Sequence, residues 1–185
     1  MTPLATEFHY NFHKPIGGME EYEDLTQVLD MMGPNDVLYL HFNTPGGSLN
    51  TAVDLIQRIA ACQGTVVGCA DGEVASAGSL LFFACEAWEV GDYCEVMLHD
   101  GSGGMLGKIS ENASSIASTS KRIAKLYNKV YGPFFKKKEI KSVLSGADIY
   151  LDADDVIKRL QKYVDSKPQE TIDLGELLDS TDSDA

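Results

Sequence analysis

The chain has 185 residues, 44% of them hydrophobic, which is enough to bury a core of its own. Its formal net charge of -13 leaves no basic surface for phosphates, so the composition excludes a nucleic-acid-binding protein. No apolar run reaches membrane-span length, and the first residues do not resemble a signal peptide. The cysteines lie in apolar stretches without the C-x-x-C spacing of metal ligands, so we expect reduced thiols, no metal site and a cytoplasmic protein.

The first half of the chain predicts alternating strands and helices. The predicted strands cover residues 8–13, 37–42 and 65–70, and the predicted helices cover residues 20–32, 49–60 and 79–85. Ser48 is a candidate N-cap for the second helix. The third helix is apolar on every side and should be buried. This order indicates βαβ units and a mostly parallel sheet.

The pattern changes after His99. Several glycines between residues 101 and 107 predict a loop or an edge hairpin, and residues 109–130 predict one long helix. Apolar residues recur on that helix every seven positions, at Ile109, Ile116, Ile123 and Val130. So narrow a stripe fits a helix that projects onto a partner and a surface helix on its own sheet equally well. Two shorter helices are predicted at 138–145 and 153–162.

Ser76 is a candidate nucleophile. A serine hydroxyl needs a base to take its proton, and the base needs a third group to orient it. Ser76 lies where a predicted strand meets the buried helix, so the N–H of Ala77 would point into the site. The alternative is a helix N-cap. Val74 stands where the nucleophile elbow of α/β-hydrolases needs glycine, so this is not that motif.

His99 and Asp148 are candidates for the base and its orienting acid. His99 ends a strand-like run, which would place its ring at the carboxyl edge of the sheet, where α/β folds bind ligands. A structural core histidine is the alternative. Asp148 follows a small pair and could equally be a turn residue or a cap, although Asp152 is the better helix cap. The Pro45-Gly46-Gly47 turn could aim N–H groups at a reacting carbonyl, or merely join a strand to a helix.

Taken together, these segments resemble the ClpP serine peptidase family. Thr44-Pro45-Gly46-Gly47-Ser48 is similar to the family's Ser-Pro-Gly-Gly turn, and Gly72-Glu-Val-Ala-Ser76-Ala-Gly is similar to the block around its nucleophile. Val96-Met-Leu-His99 resembles Val-Met-Ile-His, and Asp148-Ile-Tyr-Leu resembles Asp-Arg-Phe-Leu. The four blocks follow one another in the family's order, and the resemblance runs from about residue 8 to residue 165.

The resemblance implies a role for each site residue. Ser76 would be the nucleophile, His99 the general base and Asp148 the acid that orients it. The oxyanion donors would be backbone N–H groups of Gly46 or Gly47 and of Ala77. No cofactor is implied.

The resemblance also implies a fold and an assembly. The fold would be α/β, a ClpP/crotonase-like spiral of ββα units with a projecting handle helix within residues 109–135. Residues 1–165 would form one peptidase domain, followed by an acidic, mobile tail at 166–185. The family forms homo-oligomers of two stacked heptameric rings, which enclose the sites and admit unfolded proteins or short peptides. An AAA+ unfoldase usually feeds them.

Asp100-Gly101 stands where the family has Gln-Pro, and Asp100 could raise the pKa of His99 or hydrogen-bond to its ring. Two other functions stay open at this point. A crotonase-type acyl-CoA enzyme would not need the serine, histidine and aspartate together, and a catalytically inactive or regulatory subunit would keep the fold without turnover. A related peptidase family uses a Ser–Lys pair, for which Lys108 is a conceivable base.

Overall fold

The structure is a computed structural model that describes residues 5–100 and 109–167, with the backbone alone for residues 109–117. The glycine-rich connection with Lys108, and the predicted tail beyond residue 167, lie outside the described residues. Within the described ranges, no helix is both long enough and apolar enough to cross a membrane.

Strands and helices alternate through the first half of the chain, as the sequence predicts. The strands are β1 (Glu7–Phe12), β2 (Val37–Thr44), β3 (Thr65–Ala75), β4 (Ala87–Val90), β5 (Glu95–Leu98) and β6 (Ile149–Asp152). The helices are α1 (Glu23–Met31), α2 (Leu49–Ala61), α3 (Ala77–Phe83), α4 (Ile109–Val130), α5 (Lys137–Val143) and α6 (Ala153–Ser166). Sequence analysis did not predict the short strands β4 and β6.

The strands form one six-stranded sheet in the order β1-β2-β3-β5-β6, with β4 also paired to β3. The long strand β3 pairs with β4 through Val67–Ala70 and, further along, with β5 through Glu73–Ala75. All pairs are parallel except β5 with β6, which confirms the prediction of a mostly parallel sheet. The carboxyl ends of β2, β3 and β5 therefore meet at one edge of the sheet, and the start of β6 joins them there.

Helix α3 is buried along its whole length, as its apolar sequence predicts. Its Leu81 and Phe82 pack with Phe42 of β2 and Leu55 of α2 in a single core, and these four side chains are fully excluded from water. Burial of large apolar side chains is the dominant favourable term in folding. The start of α3 is thereby held firmly in place.

Two predicted helix caps are present. The Ser48 Oγ accepts a hydrogen bond from the Thr51 N–H at 3.3 Å, at the start of α2. The Asp152 carboxylate accepts one from the Asp155 N–H at 2.9 Å, at the start of α6. Each satisfies an amide that the helix itself leaves unpaired.

The second half of α4 lies on its own domain. Ile123 is 8% exposed and Val130 is 6% exposed, and both belong to the core. This half of α4 is therefore a surface helix that packs on its own domain. A substitution of Ile123 would disturb the core and would not test a contact between copies of the chain. Ile109 and Ile116 fall where side chains are not described.

Candidate active site

The candidate site lies at the sheet edge where the carboxyl ends of three parallel strands meet. Thr44 ends β2, Ser76 follows β3 and His99 follows β5. Open α/β sheets bind ligands at this kind of edge. The strand order thus brings together residues that are 23 or more positions apart in the chain.

Ser76 forms a sharp, strained turn between β3 and α3. Its backbone has φ 54° and ψ -121°, and among the described residues it is the only non-glycine with positive φ. Such a conformation costs about 1–3 kcal/mol and persists only where the surroundings enforce it. Here the Ser76 N–H donates to the Met97 carbonyl at 2.9 Å, and the Ser76 carbonyl accepts from the Ser79 hydroxyl at 2.7 Å.

The Ser76 hydroxyl and the His99 ring are hydrogen-bonded. The Ser76 Oγ lies 2.7 Å from His99 Nε2, and both residues are half-buried. Ser76 occupies the N-cap position of α3, but its side chain makes no capping bond to the helix and is bonded to His99 instead. When the unprotonated Nε2 accepts a hydrogen bond from the Ser76 hydroxyl, the neutral ring carries its own proton on Nδ1. That arrangement is the one a general base needs.

Asp148 and His99 lie just beyond the last pair of the β5–β6 ladder and are not bonded to each other. Leu98 pairs with Ile149 in the antiparallel ladder, so His99 and Asp148 occupy the next opposed positions. Residues so opposed have Cβ atoms about 5 Å apart, within reach of a rotamer change. The Asp148 side chain is exposed, and among the described residues no hydrogen bond or ion pair joins it to His99.

Asp100, the neighbour of His99, also stays away from the ring. Its side chain is exposed, and within residues 5–100 and 109–167 no hydrogen bond joins it to the His99 imidazole. The described geometry therefore contains a Ser76–His99 pair without a bonded aspartate.

The glycine turn after β2 lies directly against Ser76. Gly46 has φ 90°, and a Cβ there would come within 2.6 Å of both the Ser76 Cβ and the Ala75 carbonyl oxygen. Its N–H donates to the Thr44 Oγ1 at 3.2 Å. Because the Gly46 N–H already has an acceptor, the Gly47 N–H is the better candidate of the two to donate to an oxyanion. The Ala77 N–H is the first of α3 and has no acceptor within the helix.

Sequence analysis missed the residues that fix this turn. Thr44 is fully buried, and its hydroxyl donates to the Lys14 carbonyl at 2.8 Å while it accepts from Gly46. The Ile16 N–H donates to the Gly46 carbonyl, and the Ser48 N–H donates to the Ile16 carbonyl, both at 2.7 Å. No pattern in the sequence identifies Lys14 or Ile16 as partners of a turn 30 positions away.

Helix α4 covers the site from the other side. The Tyr127 hydroxyl donates to the His99 carbonyl at 2.7 Å, and Arg122 donates to the Asn50 side chain at 2.9 Å across the groove. Burial, with a smaller effect from the charge of Asp100, raises the pKa of Tyr127 to about 12. Tyr127 therefore keeps its proton and remains a donor at neutral pH. Sequence analysis did not single out this residue.

A groove of about 630 Å³ runs past the Ser76 hydroxyl between α4 and the glycine turn. Its apolar wall is formed by Leu49, Leu80 and Ile123, and its polar wall includes Asn50 and Arg122. In the part of the chain that the structure describes, no cluster of three or more His, Cys, Asp or Glu side chains could hold a metal ion.

A serine on a strained turn, bonded to a histidine and facing amide donors across a groove, defines a candidate serine hydrolase on an α/β fold. The sequence profile described as Clp protease matches residues 13–166, so the chain belongs to the Clp protease family. The family and its fold are thereby confirmed as predicted, and peptidase activity is the function they support.

Comparison with solved structures agrees with this assignment. The fold is similar to that of a peptidase from Plasmodium falciparum, with a TM-score of 0.67 and 14% sequence identity. The match covers 82% of this chain and 91% of the other. At this identity the likeness concerns the fold alone. A comparison with curated proteins gives no significant match.

The contact between Gly46 and the nucleophile turn yields a test. Gly46→Ala should lower the reactivity of Ser76 towards a fluorophosphonate by at least about tenfold, because the added methyl both clashes with Ser76 and strains a positive-φ residue. The rate of covalent labelling, followed by mass spectrometry of the intact folded protein, measures it.

Gly33→Ala is the matched control, because a Cβ at Gly33 meets its nearest atom at an ordinary 3.7 Å. Equal labelling rates for Gly46→Ala and Gly33→Ala would mean that close approach of the glycine turn is unimportant for the nucleophile.

Proposed function

We propose that this protein is a serine endopeptidase that cleaves peptide bonds of short peptides or unfolded proteins. The observation that carries the proposal is the 2.7 Å bond between the Ser76 hydroxyl and His99 Nε2 on a strained turn. Membership of the Clp protease family supports it. Thioester enolate chemistry of the crotonase type would need amide donors alone, and would leave this serine–histidine bond without a role.

Each step of the proposed reaction uses residues of the site. The Ser76 Oγ attacks the scissile carbonyl carbon while its proton passes to His99 Nε2. The N–H groups of Gly47 and Ala77 stabilise the oxyanion that forms. His99 then gives its proton to the leaving amine, and an acyl-enzyme remains on Ser76. Water, deprotonated by His99, releases the acid and restores the serine.

The groove accounts for the proposed substrate class. Its apolar lining residues, Leu49, Leu80 and Ile123, favour an apolar side chain next to the scissile bond. The glycine turn lets a substrate backbone approach Ser76 closely, because no side chain projects from Gly46 or Gly47. An extended peptide segment fits these features, and a folded substrate does not.

We further propose that Asp148 completes the triad on assembly. In the single chain its carboxylate is exposed, although its backbone position faces His99. A homo-oligomer of Clp type, with stacked rings and an unfoldase partner, would bury this edge and favour the rotamer that reaches Nδ1. Residues 1–165 would then act as one peptidase domain, and within the predicted handle of residues 109–135 the start of α4 would make the contact between rings.

The exposed Asp148 also favours a second candidate, a subunit that keeps the fold and stays inactive in the ring. Such a subunit would retain the Ser76–His99 bond without the acid that stabilises the imidazolium. The two candidates differ in the outcome of the following tests.

Ser76→Ala should abolish peptide hydrolysis and fluorophosphonate labelling, because it removes the attacking oxygen and leaves the fold intact. Mass spectrometry of the wild-type protein should find the label on Ser76. Ser145→Ala, an exposed serine at the end of α5, is the control and should label at the wild-type rate. Absence of label from folded, assembled wild-type protein would contradict the peptidase proposal and favour the inactive subunit.

Asp148→Asn should lower the rate constant for peptide hydrolysis by about hundredfold to ten-thousandfold in the assembled protein, because Asn favours the wrong tautomer of His99. Asp154→Asn, an exposed acid in the first turn of α6, serves as the matched control. Unchanged turnover in Asp148→Asn would show that the acid takes no part in catalysis.

A further inference from the structure

We propose that the C-terminal end of helix α4 positions both members of the Ser76–His99 pair through two buried tyrosines, with Ser79 as the link to the nucleophile. Tyr127 lies in the last turn of α4, and Tyr131 is the residue directly after the helix. The inference rests on the proposed peptidase function of the same site. The three residues are positioning residues: Tyr127 and Ser79 bond to the backbone of a reacting residue, and Tyr131 acts through Ser79.

The link to the nucleophile is a chain of two hydrogen bonds. The Ser79 Oγ lies 2.7 Å from the Ser76 carbonyl oxygen and 2.8 Å from the Tyr131 hydroxyl. Serine has one hydroxyl proton, which the carbonyl must receive, so the Tyr131 hydroxyl is the donor in the second bond. Burial raises the pKa of Tyr131 well above its ordinary value, so the phenol stays protonated. Ser79 and Tyr131 are 0% and 1% exposed.

The link to the base is direct. The Tyr127 hydroxyl donates to the His99 carbonyl at 2.7 Å. Tyr131 directly follows α4, and its N–H donates to the Tyr127 carbonyl at 2.8 Å, so the helical spacing of four positions places the two side chains next to each other. Their rings contact each other edge to face at 5.0 Å between centroids. A shift of α4 against the sheet would therefore move the backbones of Ser76 and His99 together.

Tyr127 and Tyr131 belong to an aromatic cluster in which packing would not require their hydroxyl groups. Tyr131 packs against Phe83 and Phe135, at ring distances of 5.8 Å and 5.5 Å. A phenylalanine at position 131 would fill nearly the same volume without the cost of burying a hydroxyl. The two tyrosine hydroxyls reach the sites of the two reacting residues, one directly and one through Ser79. Packing alone does not require either hydroxyl.

The test compares Ser79→Ala, Tyr131→Phe and the double variant in the full chain. Neither Ser79 nor Tyr131 lines the groove, so an effect on turnover would be indirect, through the residues that they contact. In Ser79→Ala the buried Tyr131 hydroxyl loses its acceptor, and the Ser76 carbonyl keeps only the Leu80 N–H as a donor. In Tyr131→Phe the Ser79 hydroxyl still donates to Ser76 but loses the donor that fixes its orientation. Removal of both partners is often nearly neutral for stability. The double variant thus separates stability from positioning.

We expect each single variant to lower the fluorophosphonate labelling rate at Ser76 by roughly tenfold. This is the rate change that corresponds to the free energy of one hydrogen bond. For a peptide substrate kcat should fall while KM stays unchanged. The double variant should have a higher melting temperature than the single variants, but its labelling rate should stay as low as theirs. A rate that recovers together with the melting temperature, or that never falls, would overturn the proposal.

One control variant and one further test variant complete the design. Leu29→Ala, a buried change in α1, which does not line the groove, should lower the melting temperature with no effect on labelling. Tyr127→Phe should lower the labelling rate in the same way through His99.

Amide hydrogen exchange over residues 76–83 distinguishes failure of this inference from failure of the peptidase proposal. If wild-type Ser76 takes no label but exchange in this segment accelerates in the double variant, the link to α4 stands and the peptidase proposal fails. Unchanged exchange together with unchanged labelling would refute the link.

Discussion

The backbone turn at Ser76 is the constraint on which the rest of the site depends. A non-glycine residue with φ 54° is unfavourable in isolation, and here it is enforced from three sides. The Met97 carbonyl holds its N–H, the Ser79 hydroxyl holds its carbonyl, and Gly46 lies against its Cβ. Release of any one of these partners would let the turn relax and carry the hydroxyl away from His99.

The fold explains why these partners are available. The first part of the long strand β3 pairs with β4, and its last residues pair with β5. The turn at Ser76 therefore lies beside the strand that precedes His99. The buried helix α3 fixes the turn from below, because its apolar side chains fill the core. The end of α4 closes the site from above. The Tyr127 hydroxyl bonds to His99, and Tyr131, directly after the helix, bonds to Ser79, which in turn bonds to Ser76.

Much of this arrangement could be predicted from the sequence, because short motifs encode it locally. Buried strands, the apolar α3 and the caps at Ser48 and Asp152 follow from local pattern and were found. The serine, histidine and glycine-turn motifs led to the correct family.

The missed features depend on contacts between residues distant in the chain. The bond from Thr44 to Lys14 and the bond from Tyr127 to His99 leave no periodic signal. The stripe on α4 was ambiguous for the same reason, since burial of Ile123 depends on where the helix lies. The strained φ of Ser76 is invisible in the sequence because the turn lacks the usual glycine spacing, with Val74 two positions before the serine.

The most direct test of the account is the reactivity of Ser76 when its partner ring is removed. The second-order rate constant for fluorophosphonate labelling should be measured for wild-type protein and His99→Gln, with the modified residue identified by mass spectrometry. A base that takes the serine proton typically contributes a hundredfold or more, so the account predicts at least about a hundredfold loss in a folded variant. Equal rates in the two proteins would show that His99 does not activate Ser76, and would contradict the account.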